Sequence, residues 1–241
     1  MLLTLIYSSN PLRMIPLLLM GFICFLFSIS VHESAHALSA YKLGDPTARS
    51  LGRISLNPMK HIDPIGLVLW LFLGFGWAKP VPIASRYFKK PKRDLNIVSL
   101  AGPLSNFAIA LVILLIGGVF SIFDINIFGI YLFSYSGFVT ATTVSGLVIQ
   151  LLQYGLWYMV FINVTLGVFN LLPIPPLDGS KLLLSLLPNH IAQYVYRYER
   201  YIQIALFVLV ISGGARGIVS TLSDWVLNAF VWLVNLIFLP F

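Results

Sequence analysis

Apolar residues fill long uninterrupted runs of this chain, with polar residues set between the runs or at a few places inside them. Ile15 to Tyr41 predicts a first helical span. Its first part, Ile15 to Val31, is apolar apart from Ser28 and Ser30, and the remainder carries His32, Glu33 and His36. Lys42 and the turn Gly44-Asp45-Pro46 end it. Ile65 to Trp77 is apolar but shorter than the roughly 20 residues an ordinary crossing needs. It is expected to be re-entrant or interfacial, as a helix or as a short membrane-associated hairpin. Leu95 to Phe120 predicts a second full span, residues 121–145 an external loop, and Gly146 to Asn170 a third span returning to the starting side. Pro173, Pro175 and Pro176 forbid a continuous helix beyond it, and Ser180 to Leu187 resumes helically. Ala192 to Ile211 and Ile218 to Leu239 are two further candidate spans, the second able to cross or to lie along the interface. The expected fold is all-α and polytopic, with about five transmembrane helices plus the re-entrant or interfacial segment.

Composition agrees with that pattern. Of 241 residues 59% are hydrophobic and 10% charged, against roughly 25% charged in soluble domains. The net charge is +7, and ten of the fifteen Lys and Arg lie between Lys42 and Arg93. Basic residues flanking apolar runs mark the cytoplasmic side of a plasma-membrane protein. They do not form the basic folded face that nucleic-acid binding requires. Cys24 is the single cysteine, so an intramolecular disulfide and a cysteine-rich metal site are both excluded. No charged region precedes the first apolar stretch, so an uncleaved first span is expected rather than a removed signal peptide.

His32-Glu33-Ser34-Ala35-His36 places two imidazoles one helical turn apart on one face, a spacing that suits two ligands of a tetrahedral zinc. Glu33, beside the pair, is placed to take a proton from zinc-activated water. Three ionisable residues inside a membrane helix are costly without partners, which favours the metal reading over chance. An extended second half of this motif is missing, because Ser39 and Lys42 stand where a glycine and a third histidine would be needed. Among the carboxylates, Asp45 and Asp63 precede prolines and read as turn or cap residues. Asp94 follows Lys92-Arg93, Asp124 falls on the expected far side, Glu199 sits between Arg197 and Arg200, and Asp224 begins the last apolar run. Asp178 follows an apolar proline-rich run and precedes Gly179, so it is the candidate third ligand; a helix N-cap is its structural alternative. Depth agrees. His32 lies about 15 Å inside the cytoplasmic end of its helix and Asn106 about 18 Å in on the next full span. The broken segment before Asp178 can fold inward where it lines a polar cavity.

With Gly102-Pro103-Leu104-Ser105-Asn106 and Asn170-Leu171-Leu172-Pro173-Ile174-Pro175-Pro176-Leu177-Asp178-Gly179, the His32 to His36 motif resembles the site-2 protease family of intramembrane zinc metalloproteases. The resemblance runs from about Leu17 to Leu187, and the segment Asn57 to Pro82 is similar to compact prokaryotic members without PDZ or CBS domains. It implies one Zn2+ per chain on His32, His36 and Asp178, with Glu33 as base. It further implies that Asn106 and Asn170 bind substrate backbone or polarise its carbonyl; without it, both read as interhelical hydrogen-bonding residues. Ser180 departs from the second glycine of many members, and only one span precedes the core.

The expected whole is a single membrane-embedded domain over residues 1–241, with the core at about 17–187 and C-terminal helices at 190–241. It would hydrolyse peptide bonds in or near transmembrane segments of other proteins. It would sit multi-pass in the plasma membrane with its active site toward the cytoplasm and no nucleic-acid partner. A metal-ion transporter would spread its acidic and histidine residues along several helices, and an inactive scaffold would have no use for Glu33. His61 is a loop histidine able to approach the site, while oligomeric state, substrate and trigger are not encoded legibly.

Overall fold

In the computed structural model, residues 11–73, 76–123, 125, 127–128 and 144–238 are described. Among them the regular structure is helical: α1 (Pro11–Lys42), α2 (Thr47–Ser50), α3 (Pro64–Leu73), α4 (Pro91–Ser121), α5 (Val144–Leu171), α6 (Asp178–Leu186), α7 (Asn189–Ile211) and α8 (Arg216–Phe238). Short 3-10 turns occupy Pro58–Lys60 and Ser85–Tyr87. The external loop expected at 121–145, with Asp124, lies largely outside the described residues.

Helices α1, α4 and α5 pack against one another and form the frame of the site. Small residues bring them close: a side chain at Gly155 would strike Met20 and one at Gly167 would strike Phe107. Such residues let membrane helices pack where lipid gives no hydrophobic drive for association. Ala110 and Leu114 of α4, Val160, Val164 and Val168 of α5, and Val234 of α8 make one buried cluster. On the other flank Trp70 of α3 stacks on Phe25 of α1 with centroids 5.0 Å apart. The short apolar run is a helix over Pro64–Leu73 rather than a hairpin, and an isolated bridge pairs Ile62 before it with Ala78 after it.

Among the described residues, four helical stretches are long and apolar enough to cross a membrane: Ile15–Lys42, Pro91–Ser121, Ser145–Leu171 and Arg216–Phe238. The sequence had suggested about five. The difference is α7, which forms as a helix but is diluted by Gln193, Arg197, Glu199, Arg200 and Gln203. Arg216–Phe238, whose crossing the sequence left open, is among the four.

Turn chemistry explains how α1 stops and the chain re-enters. Gly44 takes φ 108, a left-handed conformation that favours glycine. Asp45, fully buried, accepts from the Thr47 N–H at 2.9 Å and from the Ala84 N–H at 2.7 Å. Burial alone would raise its carboxyl, but the hydroxyl and amide donors of Thr47, the Ala84 amide and the Arg86 charge together hold it below the usual carboxylate range. Asp63 accepts from the Ile65 and Gly66 N–H groups and so starts α3. Both aspartates are cap and turn residues, as their positions before proline suggested.

Candidate metal centre

His32 and His36 leave the same face of α1, and Asp178 enters as the first residue of α6. The proline-rich segment turns back on itself through the Ile174 N–H to the Leu172 carbonyl (2.8 Å) and the Leu177 N–H to the Ile174 carbonyl (2.9 Å). A side chain on Gly179 would lie 2.1 Å from the Leu171 carbonyl oxygen, so only glycine lets α6 begin this close to the end of α5. That approach delivers the carboxylate. Asp178 Oδ2 lies 3.2 Å from His32 Nε2 and 3.1 Å from His36 Nε2, and the two Nε2 atoms are 3.0 Å apart. All three residues are buried.

The hydrogen bonds behind the rings decide what those three atoms are. His36 Nδ1 lies 2.7 Å from the Val98 carbonyl, an acceptor only, so the ring donates there and keeps a lone pair on Nε2. His32 Nδ1 lies 2.6 Å from Asn106 Oδ1 and donates likewise. Two nitrogen lone pairs and a carboxylate oxygen therefore face one another at 3.0–3.2 Å. With both rings neutral, they repel unless a cation lies among them. Ligand atoms on a tetrahedral zinc with bonds near 2.0–2.1 Å sit about 3.3 Å apart, so the donor set fits zinc in both chemistry and spacing. Gly102 supplies a second test. A Cβ built there would come 2.4 Å from His36 Nε2 and 2.6 Å from His32 Nε2, so this glycine leaves clear the space where the donors converge.

Asp178 has a further partner, since its Oδ1 lies 3.2 Å from Lys181 Nζ. The lysine thus holds the oxygen that does not face the histidines. Glu33 is half-buried and accepts from the Val81 N–H at 3.0 Å. Val81 belongs to an extended stretch also tied by the Lys79 N–H to the His61 carbonyl and by Ala84 to Asp45. His61 is fully buried; its Nε2 donates to the Ser55 carbonyl at 2.7 Å and lies 3.4 Å from Ser34 Oγ, so it stands beside α1 behind the Glu33 side. Burial above all, with the Arg53 and Lys60 charges, pushes its imidazole below the usual value, over the opposing pull of the Ser55 carbonyl and Glu33.

The structure brings His32, His36 and Asp178 together and places Asn106 against His32. The Asn170 side chain donates to the Leu166 carbonyl one turn back in its own helix. Sequence reasoning passed over Asn163, which is fully buried and bonded to Asn106 at 2.7 Å, and over Lys181 and the clearance role of Gly102. An asparagine in the middle of an apolar span was the available signal for Asn163.

Among known proteins, the chain matches the family described as Peptidase family M50 over residues 20–212. It is 37% identical over 202 residues to YwhC of Bacillus subtilis, a protein that bears a zinc metalloprotease name; the alignment covers 84% of this chain and 83% of that one. Rip2 of Mycobacterium tuberculosis, similarly named, is 27% identical over 95% of this chain and 78% of its own length. Rip2 of Mycolicibacterium smegmatis is 30% identical over 71% and 59% respectively. No solved structure matches.

Proposed function

The chain belongs to peptidase family M50, the site-2 protease family, and from that premise we propose that His32, His36 and Asp178 bind one Zn2+ per chain with Glu33 as general base. The protein is an intramembrane zinc metalloprotease, and membrane proteins in a bilayer are its class of substrate. What supports the ligand assignment most is the convergence of two imidazole Nε2 atoms and a carboxylate oxygen at 3.0–3.2 Å, each imidazole backed by a hydrogen bond at its Nδ1. Zinc, when bound, supplies the Lewis acidity that makes water a nucleophile near neutral pH.

Glu33 is the neighbour of His32 and is not among the three converging donors, which leaves its carboxylate free to take a proton from attacking water and return it to the leaving amine. The Val81 N–H orients that carboxylate. The segment cut must be unwound, because helical hydrogen bonds otherwise screen its carbonyls. The extended stretch around Val81 and the proline segment before Asp178 are the elements suited to receive it. Asn170, half-buried at the end of α5, remains the candidate for contact with substrate backbone.

The whole of 1–241 is read as one membrane-embedded domain with its core at about 17–187. The basic stretch from Lys42 to Arg93 favours a plasma-membrane orientation with the active site toward the cytoplasm. The clustering of the donors at one place, rather than along several helices, weighs against a transporter. The deciding experiment is metal analysis of purified protein beside Asp178→Ala. One zinc per wild-type chain and its loss in the variant are expected; equal zinc in both would remove Asp178 from the ligand set.

A further inference from the structure

We propose that Asn106 and Asn163 are positioning residues that hold the His32 imidazole with its proton on Nδ1, leaving Nε2 to the metal. The inference rests on the metal reading of His32, His36 and Asp178 above.

Every direction in this chain of hydrogen bonds is forced by a main-chain carbonyl. Asn163 Nδ2 lies 2.8 Å from the Met159 carbonyl, which can only accept, and 2.9 Å from Ser28 Oγ. Ser28 Oγ gives its own proton to the Cys24 carbonyl at 2.7 Å, so it receives from Asn163. Asn163 Oδ1 is thereby the end left to accept from Asn106 Nδ2, at 2.7 Å. Asn106 Nδ2 also lies 3.3 Å from the Ser28 carbonyl, again an acceptor only. Its Oδ1 therefore points at His32 Nδ1, 2.6 Å away, and takes the ring proton. The relay is anchored by three backbone carbonyls, those of Met159, Cys24 and Ser28, and ends at the ring, with no freedom to reverse.

Two consequences separate this role from the one the family resemblance implied. Both amide protons of Asn106 are engaged and its side chain is fully buried, so no donor is left over to polarise a substrate carbonyl. The two histidines are also held by different means. His36 is fixed directly by a backbone carbonyl of α4, whereas His32 is fixed by side chains from α4 and α5 acting in series. Metal geometry at His32 thus depends on how three helices pack, and outer partners of this kind orient a ligand ring and raise its basicity.

The test uses full-length protein in detergent, stripped with chelator and reloaded with Zn2+ or Co2+. Zinc affinity is read by competition with a chromophoric chelator, and ligand geometry by the visible Co2+ spectrum. Asn106→Leu is expected to weaken Zn2+ binding by about 10–100-fold and to alter the Co2+ spectrum. Asn106→Asp, which can still accept the ring proton, should bring the spectrum back. Asn163→Ala, one bond further from the ring and a smaller perturbation of the fold, should weaken Zn2+ binding by about 10-fold; it carries the test if Asn106→Leu does not fold. Wild-type affinity and spectrum in the folded Asn106→Leu and Asn163→Ala proteins would overturn the inference, even with cleavage lost, because Asn106 would then be acting on substrate. Wild-type protein that takes up no stoichiometric metal would instead overturn the ligand reading on which the inference stands.

Discussion

The two sides of the His32–His36 turn are built differently. On the Asp178 side the donor atoms are buried, every ring proton has an assigned acceptor, and the surrounding groups come from long packed helices. On the Glu33 side the carboxylate is half-buried and its partner is the backbone of an extended stretch outside any helix. The first arrangement suits a cation that must stay; low polarity strengthens each hydrogen bond and excludes competing water. The second suits a group that must exchange protons and meet water and a peptide strand. Helix α1 joins the two with a single residue step, from His32 to Glu33.

Removing a donor from the buried side should have the largest effect. Asp178→Ala is expected to lose both bound zinc and all cleavage, seen by elemental analysis and a cleavage assay on a membrane-embedded substrate. Glu33→Gln should keep zinc stoichiometry while cleavage falls by about 100- to 10,000-fold, the range for a lost general base. Retained cleavage there would dissolve the division between the two sides. Gly102→Ala comes next: its new Cβ would press on both Nε2 atoms, so zinc affinity should drop with little loss of helix content by circular dichroism. On the loop side, Val81→Pro deletes the N–H that Glu33 accepts, and a fall in cleavage of about 10-fold at unchanged zinc affinity is expected. Smallest is Lys181→Met. The lysine is one-third exposed at its side chain, so solvent screens its pairing with Asp178. A fewfold weaker zinc affinity is expected by chelator competition, and none at all would make that contact incidental.

Much of the site was legible because its signals are local. The turn spacing of His32 and His36 follows from the pitch of a helix. Asp45 and Asp63 announce themselves by the prolines after them, and Asp178 was the carboxylate no other role absorbed. Asn163 and Asn170 show where that reading stops. They are seven residues apart, nearly two turns, so they share a face of α5 and differ by about 10 Å in depth. Nothing along the chain chooses between them. The packing of α5 against α1 and α4 does, setting Asn163 level with Asn106 and leaving Asn170 bonded to Leu166.

The same division holds for the whole molecule. Apolar runs, broken by proline and glycine and flanked by basic residues, determine a helical membrane protein, because a continuous apolar run of about 20 residues satisfies its own backbone polar groups in lipid as a helix. Residue chemistry at helical spacing determines that two imidazoles share one face of α1, a turn apart. Tertiary structure alone decided which way the Asn106 amide faces and that Gly102 must stay bare. These depend on the rotation and depth of one helix against another, and such quantities are set by side-chain packing across the bundle rather than by order along the chain.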